Sequence, residues 1–164
     1  MMEKIIVIGC PGSGKSTFAR SLSKLTDLPL FHLDMMYWRR DRTTVPKEEF
    51  REKLRDVIAE DAWIIDGNYG STMEIRMAAC DTVFFLDYPT EICLDGLNQR
   101  RGKPREDMPW VEYEIDEEFV CFVKDYNTHS RPAVLALLEK YADKRIVIFH
   151  DRQEAELYLE TLRG

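Results

Sequence analysis

Residues 5–17 read IIVIGCPGSGKST, an apolar run that breaks into glycines and ends on a lysine and two hydroxyl side chains. Gly9, Gly14, Lys15 and Ser16 satisfy the pattern G-x-x-x-x-G-K-[ST], in which a loop between a strand and a helix surrounds nucleotide phosphates. The lysine of this pattern reaches the β- and γ-phosphates, and its hydroxyl binds Mg²⁺. The stretch therefore predicts a phosphate-binding loop for ATP and Mg²⁺. The residues predicted to contact the nucleotide are Gly9, Pro11, Gly12, Ser13, Gly14, Lys15, Ser16 and Thr17.

The length and charge of the chain limit its class. Its 164 residues suit one domain, residues 1–164, because a chain of this size buries about 70% of its unfolded surface. A net charge of −7 disfavours long-range attraction to DNA or RNA. The apolar runs are far shorter than the ~20 residues of a membrane span. Four scattered cysteines without a secretory leader indicate reduced thiols. We therefore predict a cytoplasmic monomer or homodimer.

Strand-like and helix-like segments alternate along the chain, which predicts a parallel sheet with helices on both faces. Most of the strands are continuous apolar runs, as expected for strands that are buried on both faces. Strands are predicted at residues 4–9, 30–33, 62–66, 82–87 and 145–150. Amphipathic helices are predicted around residues 50–58, 119–126, 134–141 and 155–162, the last opened by Asp151 and Glu154. Residues 33–45 and 100–110 fit neither pattern, and we expect ligand-binding loops there.

Two aspartates end predicted strands and are candidate magnesium ligands. Asp66 follows the third strand in WIIDGN, and Asp87 follows the fourth in VFFLDYP. A magnesium-bound nucleotide needs a carboxylate close to the phosphate loop. Each aspartate can instead cap a helix or form a turn. The residues alone leave both assignments open, because the position of each strand in the sheet decides between them.

Three stretches, GCPGSGKST, WIIDGNYGST and DTVFFLDYPTEICLDGLNQRR, resemble the adenylate-kinase-like P-loop proteins in order and spacing. More narrowly, LPLFHLDMMYW, IIDGNY and REDMP resemble the topology modulation (FlaR-like) proteins. The resemblance implies a P-loop NTPase fold, a five-stranded parallel sheet of order 2-3-1-4-5 and a short lid. It also implies that Asp66, rather than Asp87, is the carboxylate on the magnesium side.

The resemblance further implies a mobile lid at residues 100–131 and an acceptor-side segment at residues 34–60. Lid arginines in such enzymes donate hydrogen bonds to the transferring phosphoryl group. The candidates here are Arg100, Arg105 and Arg131. We also expect Arg100 to contact the nucleotide. The predicted catalytic residues are Lys15, Asp34, Asp66, Arg100, Arg105 and Arg131.

The chain also departs from adenylate kinases on the acceptor side. Tyr37 and Gly70 stand where those enzymes carry arginines that bind the acceptor phosphate, and Gly96 replaces an arginine near the adenine. Arg76 and the arginines of residues 39–42 are the nearest remaining cations. Asp34 resembles the carboxylate that related small-molecule kinases direct at a substrate hydroxyl, which suits a general base or substrate clamp.

Three functions remain open from the sequence. The leading one is a phosphotransferase that moves the γ-phosphoryl group of ATP to a small-molecule acceptor, such as a nucleoside. The second is an NTPase or switch with water as acceptor, and the third is a DNA-binding topology modulator, which the acidic charge disfavours.

Among the other polar residues, we interpret His32 as a core histidine and the acidic residues of 112–118 as the first turn of a helix.

Overall fold

The computed structural model of the protein describes residues 2–164. All strand pairs are parallel, and the order is β2-β3-β1-β4-β5. The predicted sheet and its order are therefore confirmed, and each strand lies within one residue of its predicted bounds. The five strands are β1 (Lys4–Gly9), β2 (Leu30–His32), β3 (Trp63–Asp66), β4 (Thr82–Leu86) and β5 (Arg145–Phe149).

Helices connect the strands, as parallel pairing requires. None of those formed by residues 2–164 combines the length and the apolar character of a membrane span. At the last helix, Asp151 accepts a hydrogen bond of 2.9 Å from the backbone N–H of Glu154, which confirms the predicted cap. The helices are α1 (Lys15–Thr26), α2 (Leu33–Tyr37), α3 (Lys47–Ile58), α4 (Gly70–Ala79), α5 (Thr90–Arg100), α6 (Glu117–His129), α7 (Arg131–Lys140) and α8 (Arg152–Arg163).

The core forms two layers, one on each face of the sheet. Ile5 and Val7 of β1 pack with α1, α5, α6 and α8, whereas Ile6 and Ile8 pack with α2, α3, α4 and α7. Each of these fully buried side chains contributes about 1.5 to 3 kcal/mol. The edge strands differ from the prediction of strands buried on both faces, because β2 is only half-buried and Ile148 of β5 is exposed. Burial on both faces holds only for the three central strands.

The two segments predicted as loops differ from each other. Residues 33–45 contain helix α2 and an antiparallel bridge between Trp38 and Thr44, so the loop prediction was wrong there. Asp34 therefore lies in the first turn of α2 rather than at a strand end. Residues 101–116, between α5 and α6, are irregular as expected. Helix α6 begins at Glu117 with Asp116 as its cap, so only the last part of the acidic run is a helix start.

Candidate functional site

A cavity of about 1390 Å³ opens where β1, β2 and β3 lead into the phosphate loop, α2 and the segment before α4. The C-terminal ends of parallel strands are the usual ligand edge of such sheets. Gly9, Ser13 and Arg131 do not line this cavity. The predicted site residues that do line it are Pro11, Gly12, Gly14, Lys15, Ser16, Thr17, Asp34, Asp66, Arg100 and Arg105.

Close packing fixes the phosphate loop from outside. A Cβ atom on Gly12 would lie 2.1 Å from the carbonyl oxygen of Cys93, and one on Gly96 would lie 2.0 Å from that of Gly12. Any larger residue at either position would displace α5 from the loop, which explains why no arginine stands at Gly96. Arg152 donates hydrogen bonds of 3.2 and 3.3 Å to the carbonyls of Ser13 and Gly12. These contacts occupy the carbonyls of Gly12 and Ser13, and the Ser13 N–H is bonded to the carbonyl of Cys10 at 3.1 Å, so the conformation of the loop is fixed from within and from outside.

Lys15 is the half-buried cation of the loop. Its Nζ atom donates a hydrogen bond of 3.4 Å to the carbonyl of Cys10. Burial lowers the pKa of the Lys15 ammonium, and the neighbouring charges of Asp66 and Asp34 oppose that shift. The ammonium of Lys15 therefore lies near the carboxylates of Asp34 and Asp66. A bound polyphosphate would add negative charge at this ammonium.

Asp66 ends β3 and is buried, with 5% of its surface exposed. Its carboxylate pairs with Nδ1 of His32, which is aligned with Asp66 across the β2–β3 pair. Burial acts to lower the pKa of His32, but the hydrogen bond and charge of Asp66 outweigh it, so that the pKa is raised. His32, interpreted from the sequence as a core histidine, is mostly buried, and its partner is a predicted metal ligand. One feature of the sequence could have predicted this contact: His32 and Asp66 lie at the C-terminal ends of two strands that are neighbours in the expected strand order.

Asp87 and Arg131 form an ion pair away from the cavity. The guanidinium of Arg131 donates two hydrogen bonds of 2.8 Å, one to each carboxylate oxygen of Asp87. Neither residue lines the cavity. In this conformation the guanidinium of Arg131 is satisfied by Asp87, so a role for Arg131 at the phosphates stays a prediction. Asp87 is likewise committed to a structural contact.

The lid arginines are also paired in the structure. Arg105 Nη2 lies 3.0 Å from Glu112 Oε1, and Arg100 Nη2 lies 3.9 Å from Glu112 Oε2. Burial lowers the pKa of Arg100, with the charge of Arg105 as a second cause. Both arginines line the cavity, and Glu112 neutralises part of their charge. From the sequence, Glu112 was expected in the first turn of a helix, and its contact with the arginines was not predictable because it joins residues of an irregular segment.

The acceptor side combines one carboxylate with aromatic rings. The Tyr69 hydroxyl donates a hydrogen bond to Asp34 Oδ1. Burial raises the pKa of Asp34, while that hydrogen bond and the charge of Lys15 act to lower it. Trp38 and Trp110 meet edge to face with ring centroids 5.3 Å apart, and the Arg42 guanidinium lies 5.7 Å from the Trp110 ring centroid. The acceptor-side segment and the lid thus touch across the cavity.

Arg76, one of the remaining cations near the acceptor side in the sequence, is not available to an acceptor. It is fully buried in α4. Its guanidinium donates hydrogen bonds of 2.9, 2.5 and 3.1 Å to the carbonyls of Gly67, Asn68 and Tyr69. Arg76 therefore orders the loop that carries Tyr69. The backbone φ angle of Tyr69 is 24°, in a region that residues other than glycine rarely adopt.

Comparisons with known proteins agree with this architecture. No protein-family model matches the chain. The adenylate kinase of Thermotoga maritima is 28% identical over 127 residues, which cover 73% of this chain and 56% of that enzyme. A shikimate kinase of Flavobacterium johnsoniae is 43% identical over 51 residues, 31% of this chain and 29% of that kinase. Among solved structures, shikimate kinase from Acinetobacter baumannii in complex with shikimate has a TM-score of 0.65 at 16% identity, covering 99% and 92% of the two chains.

These similarities support the P-loop NTPase fold and a likeness to adenylate-kinase-like P-loop kinases. The chain spans a little over half the length of the Thermotoga maritima enzyme, 56%. The structural likeness at 16% identity concerns the fold alone.

Proposed function

We propose that this protein transfers the γ-phosphoryl group of ATP to a hydroxyl group of a small molecule. The observation that supports it most is the convergence of Lys15 of the phosphate loop with the Asp34 carboxylate in one cavity, close enough for their charges to affect each other. In P-loop kinases the protein contributes positioning and charge neutralisation rather than covalent chemistry. A cation for the phosphates and a carboxylate for a hydroxyl are the two groups that such a transfer requires.

The transfer is a single displacement. The acceptor oxygen forms a bond to the γ-phosphorus, the bond from that phosphorus to the β-bridging oxygen breaks, and ADP leaves. Asp34 accepts the hydroxyl proton and releases it to solvent. Tyr69 holds the Asp34 carboxylate by its hydrogen bond, while Arg100 and Arg105 exchange Glu112 for phosphate oxygens.

The residues present suit a magnesium ion. Ser16 and Asp66 both line the cavity and offer hydroxyl and carboxylate oxygen, the hard donors that Mg²⁺ prefers. When bound, the ion would neutralise charge on the β- and γ-phosphates. We assign the carboxylate to Asp66 rather than Asp87, because the latter is occupied by Arg131 and lies off the cavity.

We further propose an uncharged acceptor with a flat or apolar face, such as a nucleoside. A monophosphate carries about two negative charges, and their burial without a cationic partner costs several kcal/mol. Of the remaining cations, Arg76 is bound by backbone carbonyls, and the guanidinium of Arg42 lies at the Trp110 ring. Asp34 beside Trp38 instead offers a hydrogen-bond acceptor and an aromatic face. AMP should therefore be a poor acceptor.

The absence of an arginine that could bind an acceptor phosphate, at Tyr37 and Gly70, also favours a second candidate, an NTPase with water as the acceptor. We also infer from the sequence motifs that the chain is a topology modulation (FlaR-like) protein, with one domain, an acceptor-side segment at residues 34–60 and a lid at residues 100–131. A cytoplasmic location and a monomeric or homodimeric state complete this proposal. DNA binding has no support from the charge, which is −7.

A screen for phosphorylated products tests the proposal. The protein is incubated with ATP, Mg²⁺ and a panel of nucleosides, nucleoside monophosphates and small hydroxyl compounds, and the products are identified by mass spectrometry. We expect a neutral acceptor to gain one phosphate, and we expect Asp34→Asn to abolish that product. Asp56→Asn, on the exposed side of α3, is the matched control. ATP hydrolysis at a rate that no compound changes would instead favour the NTPase.

A further inference from the structure

One of the carboxylates that line the cavity from the lid side, that of Asp107, has no part in the mechanism described so far. Asp107 lies in the irregular segment before α6, yet only 7% of its surface is exposed. Its Oδ1 atom is buried and accepts no hydrogen bond from any group in residues 2–164. The nearest cation, Arg105 Nε, is 3.5 Å from that atom, a distance that brings charges together without forming a hydrogen bond.

Buried carboxylate oxygens without donors are costly, so they occur where a partner is missing. Arg105 does not fill this role, because its Nη2 atom is directed to Glu112 at 3.0 Å. Asp107 also lies near the predicted catalytic carboxylate. Burial raises the pKa of Asp34, and the charge of Asp107 adds to that effect. The two aspartates thus face one space from opposite segments, the acceptor side and the lid.

We propose that Asp107 binds a second hydroxyl group of the acceptor, so that the substrate is a polyol with at least two hydroxyls. This inference rests on the proposed phosphotransfer. One hydroxyl lies at Asp34 and is phosphorylated, while another donates a hydrogen bond to the Asp107 carboxylate and is not changed. A hydroxyl group suits the site because it supplies a donor without bringing further negative charge to two buried carboxylates. Asp107 is then a specificity residue that also couples acceptor binding to the lid.

Monodeoxy analogues provide the test. Common ribonucleosides, D-ribose, D-glucose and myo-inositol are screened as acceptors, and the best one is compared with its analogues that each lack one hydroxyl. With the wild-type protein, loss of one non-reacting hydroxyl should lower kcat/KM by about 10- to 100-fold, the effect of one hydrogen bond to a charged group. In Asp107→Ala the deoxy analogue and its parent should have the same kcat/KM. The KM for ATP of this variant should stay within about twofold of wild type.

Two further variants separate this role from a structural one. Asp107→Asn keeps the shape and an acceptor oxygen, so it should fold like wild type and retain a smaller penalty for the deoxy analogue. Glu106→Ala removes a neighbouring carboxylate of the lid whose side chain is 77% exposed, and it should leave the penalty unchanged. If removal of the hydroxyl lowers kcat/KM by the same factor in wild type and in both Asp107 variants, the inference about Asp107 is overturned, while the proposed phosphotransfer stands. If no compound is phosphorylated, the proposed function fails and this inference falls with it.

Discussion

Replacing Arg76 with methionine removes a buried guanidinium that holds three consecutive backbone carbonyls, those of Gly67, Asn68 and Tyr69. A fourth hydrogen bond, 3.3 Å long, joins its Nε atom to Thr72. The Tyr69 carbonyl keeps a hydrogen bond of 3.0 Å from the backbone N–H of Thr72, so only the carbonyls of Gly67 and Asn68 lose their donor. Each carbonyl left without a donor costs about 1 to 3 kcal/mol, and removal of the desolvated charge offsets part of that total. We therefore expect the free energy of unfolding to fall by about 2 to 4 kcal/mol, a large part of the ~5 to 15 kcal/mol typical of a domain.

Urea unfolding followed by tryptophan fluorescence and circular dichroism measures this loss. Arg51→Met, on the exposed side of α3, is the matched control and should change stability by no more than about 0.5 kcal/mol. A loss below about 1 kcal/mol for Arg76→Met, with the same denaturant slope as wild type, would refute the structural role of Arg76. Because the loop carries Tyr69, the folded variant should also show a raised KM for the acceptor.

Three other changes test the site. Lys15→Ala should weaken ATP binding by more than about tenfold, since a charged hydrogen bond is worth about 1.5 to 3 kcal/mol; a calorimetric affinity within about twofold of wild type would contradict its assignment. Asp66→Asn should abolish transfer in steady-state assays and Asp87→Asn should keep most of it, whereas the reverse result would exchange their roles. Tyr69→Phe removes a hydrogen bond that stabilises ionised Asp34, so the pKa of Asp34 should rise and the acid limb of the kcat profile should move to higher pH. An unmoved limb would exclude Asp34 as the base.

The sheet was predictable because its determinants are local. Residues 5–17 carry the strand, the loop and the start of α1 in one continuous pattern, and the central strands are uninterrupted apolar runs. The strand order came from resemblance, since apolar runs alone do not specify which strands are neighbours. Helix α2 escaped prediction because its five residues are too few to show a helical period.

The polar contacts of the site were not predictable in the same way. Arg131 was expected near the phosphates, but it binds the Asp87 carboxylate, which is 44 residues away in sequence. Arg76, a remaining cation whose partner the sequence did not specify, binds the backbone carbonyls that precede its own helix. Arg152 likewise acts through a contact distant in sequence, whereas the contact of Glu112 with Arg105 lies within one irregular segment. A charged residue indicates chemistry, but which partner it meets depends on tertiary structure.

Phosphoryl transfer from ATP labelled with ³²P at the γ-position tests the central claim most directly. The labelled nucleotide is incubated with the protein, Mg²⁺ and the neutral acceptors, and the fate of the label is followed by chromatography. We predict that label appears in one acceptor in proportion to the ADP formed and that Lys15→Ala forms none of this product. Label found only in inorganic phosphate, at a rate that no acceptor changes, would contradict the account.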